Sequence, residues 1–218
     1  MPSLSCRAIL FDLDGVLVDS RECIALVWRA WAAERGGGRD PEAILRVAHG
    51  RFISATLRLV APELDAQAEA AVLDAMEARE TRGLRAAAGA AAIVASLGDA
   101  PWAVVTSGSR PVATLRLRSA GLPVPPVFVT ADDVRSGKPD PEPYLTAAAR
   151  LGVAPGDCLV VEDSPTGLAA AKAAGMRALA VLTTYPVAAL GAADACVPAL
   201  AALDVAPLPG RGIAVRWA

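Results

Sequence analysis

Lysine is nearly missing from this 218-residue chain: Lys138 and Lys172 are the only two among 21 basic residues, the others being arginine. The basic residues form no run, and a formal charge of −2 with a pI near 5.5 leaves no positive excess for a polyanion, so nucleic-acid binding is not expected. No stretch of about 18 residues is apolar and free of charge, Pro and Gly, which argues against a membrane-spanning helix. Residues 1–6 lack a basic segment leading into a long apolar one, so export is not expected either. The four cysteines, Cys6, Cys23, Cys158 and Cys196, lie far apart without a C-x-x-C pair. They read as reduced thiols in a core, and hence as a cytoplasmic protein. Histidine occurs once, at His49, and there is no internal repeat.

What is present is apolar material: 54% hydrophobic residues against 20% charged suffice for one sizeable core and a smaller accessory domain. The informative stretch is Phe11-Asp12-Leu13-Asp14-Gly15, where a short apolar run over residues 7–11 stops at two carboxylates spaced i, i+2. Such a run reads as a buried strand, with Gly15 turning the chain away at its carboxyl end. In an open α/β sheet that end is where ligands bind. Two ionised carboxylates held close need a cation, and hard oxygen donors favour magnesium. A strand cap followed by an Asx turn would use the same residues. The rest of the chain has to decide.

Residues 20–85 carry helical patterning without a convincing strand. Ile24, Val27, Trp28 and Trp31 share one face of a first helix that stops at Gly36-Gly37-Gly38. Asp40-Pro41 starts a second, which holds Ile53, Leu57 and Val60 and is broken by Pro62; a third runs from about 65 to 82. The spacing of Trp28 and Trp31 suits the interior of this helical insertion better than a sugar platform. From residue 86 the pattern alternates. Strands are predicted at 102–106, 127–130, 158–162 and 177–182, with a short edge strand near 195–197. Helices are predicted at 90–97, 111–120, 141–151 and 165–174, each followed by a Gly at the C-cap. This alternation predicts a doubly wound parallel α/β sheet, a Rossmann-like core formed by 1–15 and 86–218, with an inserted all-helical cap at 16–85. The tail from Pro207 carries Trp217 but no recognisable pattern.

Three more strand ends are polar. Thr106-Ser107-Gly108 offers hydroxyls and backbone N–H groups suited to phosphate oxygens, although such a turn is also a common N-cap. Gly137-Lys138-Pro139 fixes a lysine in a rigid loop, in a chain that otherwise chooses arginine. Glu162-Asp163-Ser164-Pro165 sets a second acidic pair at a strand end, with Ser164 available to cap the helix that follows. A second acidic pair is what an oxygen-ligand metal site requires.

In this order, Asp12-x-Asp14, Ser107, Lys138 and Glu162-Asp163 resemble the four motifs of the haloacid-dehalogenase-like hydrolase superfamily, over about residues 7–186. The helical insertion resembles that superfamily's cap placed after the first motif. More narrowly, the stretches 102–110, 129–134, 137–144 and 182–185, with His49-Gly50-Arg51 in the cap, are similar to the branch holding glycerol phosphatases, 2-deoxyglucose-6-phosphatases and bacterial sugar phosphatases.

The resemblance implies a magnesium-dependent phosphatase of a small sugar or polyol phosphate, acting as a monomer. Asp12 would be the nucleophile and Asp14 the general acid and base. Asp12, Asp14 through its backbone carbonyl, and Asp163 would hold magnesium, with Glu162 beside them. Ser107 and Lys138, helped by Thr106 and Gly108, would clamp the phosphoryl group. His49 and Arg51 would reach the substrate from the cap. A mutase of the β-phosphoglucomutase type shares the motifs, but it usually carries a histidine ten residues after the acid/base Asp, where this chain has Ile24. A protein that had kept the fold and lost activity would be expected to lack a nucleophile or a metal carboxylate, and neither is missing.

Overall fold

The computed structural model describes residues 2–208, 210 and 212–217. The chain opens with β1 (Ser3–Cys6), β2 (Ala8–Phe11) and a two-residue β3 (Val18–Asp19), followed by four helices: α1 (Arg21–Arg35), α2 (Pro41–Ala48), α3 (Ile53–Val60) and α4 (Ala66–Glu77). A short β4 (Arg85–Ala86) leads into α5 (Ala90–Leu97), β5 (Trp102–Val105), α6 (Arg110–Ser119) and β6 (Val127–Val129). Then come α7 (Glu142–Leu151), β7 (Cys158–Glu162), α8 (Pro165–Ala173), β8 (Arg177–Val181) and β9 (Ala195–Val197), and the chain closes with the hairpin β10 (Leu203–Leu208) and β11 (Gly212–Trp217).

The main sheet has six parallel strands in the order β6-β5-β2-β7-β8-β9. From β2 the chain winds outward to β5 and β6 on one side, then returns to build β7, β8 and β9 on the other. The reversal of strand order therefore falls at β2, and the crevice it leaves opens at the carboxyl end of that strand. Side chains alternate across the sheet as the strand period demands. Ile9 and Phe11 point to the face covered by α5 and α6, while Ala8 and Leu10 point to the face packed with Tyr144 and Ala147 of α7 and Leu168 and Ala171 of α8. The doubly wound α/β core is thus present, including the edge strand at Ala195–Val197. Each helix–Gly junction expected in the core is formed, with Gly98, Gly121, Gly152 and Gly175 all at positive φ.

Helices α1 to α4 have an apolar centre of their own, with Trp28, Trp31, Ile44, Leu57 and Leu73 buried among them. The two tryptophans pack edge to face at 5.6 Å, as interior residues. Asp40 caps α2 through the Glu42 N–H, and Asp65 caps α4 through those of Gln67 and Ala68. Both ends of the insertion are tied together by β3 and β4, which pair antiparallel.

Three expectations need correction. The helix expected to run on from Asp40 breaks at residues 49–52 and becomes α2 and α3; Gly50 in the break sits at φ +80°. The helix expected to reach residue 82 ends at Glu77. The tail also contains regular structure: β11 pairs antiparallel with both β10 and β1 to form a separate three-stranded sheet. Val205, Ile213 and Val215 of that sheet join the core on the α5 face. No described helix is long and apolar enough to cross a membrane.

Candidate active site

The chain leaves β2 in a tight turn. The Leu13 carbonyl accepts hydrogen bonds from the Leu17 and Val18 N–H groups, both at 2.9 Å, and Asp12 is held in the sheet by donating its N–H to Val161 at 3.0 Å. Gly15 is required in this turn. It sits at φ +85°, and a Cβ there would fall on the Asp163 carboxylate and the Thr184 hydroxyl.

Asp12 is buried, and Lys138 reaches it from the loop before α7. The Lys138 Nζ donates to Asp12 Oδ1 at 2.5 Å, to Glu162 Oε1 at 2.6 Å and to the Val105 carbonyl at 3.1 Å. All three donors of the ammonium are therefore used. Glu162 is saturated as well: Tyr144 donates to Oε1, and Oε2 accepts from the Asp163 N–H, the Ser164 N–H and the Ser164 hydroxyl, each at 2.9–3.0 Å. Ser164 caps α8 by accepting from Gly167 N–H at 3.1 Å, as expected.

Burial and charge pull these groups apart. Burial, with Glu162, Asp163 and Asp14 adding to it, raises the Asp12 carboxyl well above its ordinary value despite Lys138. Burial also works against the Lys138 ammonium, but Asp12 and Glu162 outweigh it and hold the lysine charged. Glu162 would be raised by burial, yet Lys138 and its hydrogen bonds keep it below the ordinary glutamate range. One lysine cannot neutralise Asp12, Glu162 and Asp163, whose oxygens lie within 4.8 Å of one another. Asp163 Oδ1 is buried without a hydrogen-bond partner among the described residues. An all-oxygen donor set with an unpaired buried carboxylate oxygen fits a hard divalent cation.

The cap completes the site through the break between α2 and α3. His49 Nε2 lies 3.0 Å from Asp163 Oδ2 and 3.1 Å from the Asp14 carbonyl oxygen. Burial alone would lower its pKa, but Asp163, with Asp14 and Asp12, raises it to about 9. A protonated imidazole thus stands against two oxygens expected to serve a metal. Gly50 lies so close to α8 that a Cβ would meet the Ser164 and Thr166 hydroxyls. Its carbonyl accepts a hydrogen bond from Ser107 Oγ at 3.1 Å. Thr106 is buried with its Oγ1 accepting from Gly108 N–H at 3.1 Å, so hydroxyl and backbone of this loop are locked together. Asp12, Asp14, His49, Arg51, Thr106, Ser107 and Gly108 all line one cavity of about 50 Å³. Lys138, Glu162 and Asp163 stand behind it, linked through Asp12 and His49.

Two further charged residues line this cavity that the sequence reading passed over. Arg116 of α6 donates from Nη1 to Asp14 Oδ2 at 2.5 Å and from Nη2 to Glu77 Oε2 at 2.8 Å, and both Arg116 and Glu77 are buried. Burial raises Glu77 against the pull of Arg116; the same burial would lower Arg116, but Asp14 and Glu77 raise it. The clue lay in helical phase. Arg116 follows Val112 and precedes Leu117 on the buried face of α6, and Glu77 stands one turn after buried Leu73 on α4.

In comparison with known proteins, a family model described as haloacid dehalogenase-like hydrolase matches residues 6–175. Hexitol phosphatase A of Escherichia coli (strain K12) is 41% identical over 98% of this chain and 100% of its own length. Glycerol-1-phosphate phosphohydrolase 2 of Saccharomyces cerevisiae is 34% identical over 84% of this chain and 77% of its own. Among solved structures, a hydrolase from Pseudomonas syringae superposes with a TM-score of 0.80 at 26% identity, covering 89% of this chain and 94% of that one.

Proposed function

The chain belongs to the haloacid dehalogenase-like hydrolase family, and on that premise we propose that it is a phosphatase of small sugar or polyol phosphate monoesters, with Asp12 as the nucleophile and magnesium as the cofactor. The observation that carries this reading is the meeting of Asp12 with Lys138, Glu162 and Asp163 at the carboxyl ends of adjacent parallel strands. Hexitol phosphates and glycerol 1-phosphate are the first candidates, from the names of the relatives.

An Asp12 oxygen attacks phosphorus. The bond to the ester oxygen breaks, its electron pair stays on that oxygen, and Asp14 supplies the proton that makes the leaving alcohol. Asp14, now a carboxylate, takes a proton from a water whose oxygen attacks the same phosphorus, which frees inorganic phosphate and restores Asp12. Lys138 stays charged throughout and steadies the negative charge on Asp12 and on the transferring group. The Thr106 hydroxyl donates to a phosphoryl oxygen and the Ser107 hydroxyl does so once the Gly50 carbonyl releases it, while the Gly108 N–H keeps Thr106 in place. Glu162, saturated by its neighbours, holds Lys138 and the α8 loop in place rather than ligating directly. Asp12, Asp163 and the Asp14 carbonyl would hold the magnesium ion, which would neutralise phosphoryl charge when bound.

Residues 16–85 act as the cap and 1–15 with 86–218 as the catalytic core. The cavity is narrowed by His49, which stands on Asp163 and the Asp14 carbonyl, the oxygens expected to meet the metal. Substrate entry therefore requires the cap to move, with His49 giving up Asp163 and Arg51 free to meet the substrate. Four unpaired cysteines suit a reducing compartment.

The test is phosphate release from hexitol phosphates, glycerol 1-phosphate, glucose 1-phosphate, glucose 6-phosphate and nucleoside monophosphates, with magnesium and with excess chelator. Release from at least one polyol or sugar phosphate is expected, lost in chelator and regained when magnesium returns. The protein should also melt higher with magnesium, by about 2.7 kcal/mol of added stability when the ion stands at 100 times its dissociation constant. Full activity in excess chelator would remove the metal from this reading. Exchange between the glucose phosphates with little free phosphate would replace the phosphatase by a mutase.

A further inference from the structure

The buried triad Asp14–Arg116–Glu77 belongs neither to the acidic cluster nor to the phosphate loop. It joins the two bodies of the protein, since Arg116 is on core helix α6 and Glu77 is the last residue of cap helix α4. The guanidinium fork divides itself, Nη1 to Asp14 and Nη2 to Glu77, while its Nε has no partner among the described residues. Asp14 is held by one oxygen only. Asp14 lines the same cavity, and its Oδ1 is buried and lacks a partner among the described residues.

We propose that Arg116 is a positioning residue for the acid/base chemistry: by fixing Asp14 through Oδ2 it presents Oδ1 to the ester oxygen, and Glu77 completes the arrangement when the cap is against the core. This inference rests on the phosphatase reading above. Asp14 stands on a turn beside Gly15, and nothing else among the described residues hydrogen-bonds its carboxylate. Its rotamer is therefore set by Arg116. A planar fork fixes direction as well as distance, which a lysine cannot do. Acid catalysis is sensitive to that direction, because a displacement of about 1 Å in a reacting group can cost about a hundredfold. Glu77 orients the fork from its far side. Opening of the cap would separate Glu77 from Arg116 and leave the fork steadied by Asp14 alone.

The role can be told from mere charge balance by the leaving group. An alkoxide leaving a polyol phosphate needs a proton, whereas 4-nitrophenolate leaves without one. Because Asp14 also serves the later hydrolysis that both esters share, the comparison rests on kcat/KM, which reports the first transfer: Arg116→Lys should lower kcat/KM for glycerol 1-phosphate by about a hundredfold and that for 4-nitrophenyl phosphate far less. Glu77→Gln should show the same bias with a smaller loss. The losses from Arg116→Lys and Asp14→Asn should not add, because one acts through the other. If Arg116→Lys proves unstable, Arg116→Met combined with Glu77→Gln removes the buried pair together and should keep the same bias. Equal losses on the alkyl and aryl esters, or losses that add to those of Asp14→Asn, would overturn the positioning role while leaving the phosphatase reading intact. No phosphate release by the wild type from any ester would overturn both.

Discussion

Asp12→Asn is expected to lower phosphate release by a factor on the order of 10⁵, the scale seen when a covalent nucleophile is removed. The fold should survive. Burial raises the Asp12 carboxyl well above its ordinary value, so an uncharged isostere removes a group that the surroundings already resist ionising. Lys138 keeps Glu162 and the Val105 carbonyl as partners when Asp12 becomes neutral. The melting temperature in chelator should accordingly match or exceed that of the wild type, while turnover of glycerol 1-phosphate disappears. A variant that unfolded would assign Asp12 to stability, and one that kept a tenth of its activity would deny it the attack on phosphorus.

Lys138→Met should be the most damaging single change to stability. The methionine fills a similar volume but leaves Asp12 and Glu162 buried without their shared cation. Removing one partner of a buried ion pair costs about 3–5 kcal/mol. At about 2–4 °C per kcal/mol for a domain of this size, the melting temperature should fall by roughly 6–20 °C. The loss should also depend on pH in a definite direction. In the wild type Glu162 is depressed, so its contribution is present above its unfolded pKa and lost as pH falls through its folded pKa. Without Lys138, burial leaves both carboxyls raised. The folded variant then binds protons more readily than its unfolded chain and gains stability on acidification. The gap in melting temperature between the proteins should therefore narrow from pH 7 to pH 5 in chelator. A gap that widened over that range would mean that Lys138 does not neutralise these carboxylates.

Much of this site was legible before any coordinates, because its chemistry sits where strand periodicity ends. Asp12, Thr106 and Glu162 close three apolar runs, and residues at the carboxyl ends of parallel strands converge whatever the details of packing. The core was legible for a related reason: Pro or Ser at helix starts and Gly at helix ends mark boundaries locally. What could not be read depends on contacts distant in sequence. The tail strand β11 finds its partner in β1, where Ser3 pairs with Arg216. Pro207 argues against a strand until β10 is seen to be an edge that pairs on one side only. The break after Ala48 carries no proline, and only the approach of Gly50 to α8 explains why the helix stops there. Helical phase sets Arg116 and Glu77 on buried faces, but it does not name their partners. The meeting of α6 with the turn after β2 makes Arg116 the counterion of Asp14, and the meeting of cap with core makes it that of Glu77.

Aspartyl attack is tested most directly by trapping its product. Glycerol 1-phosphate labelled at phosphorus is mixed with the magnesium-loaded enzyme in excess and quenched in acid within the first turnover. Label should appear on the protein before it appears as inorganic phosphate, be released by hydroxylamine, map to the peptide carrying Asp12, and be absent from Asp12→Asn. Inorganic phosphate formed at the turnover rate while the protein stays unlabelled would contradict a covalent role for Asp12.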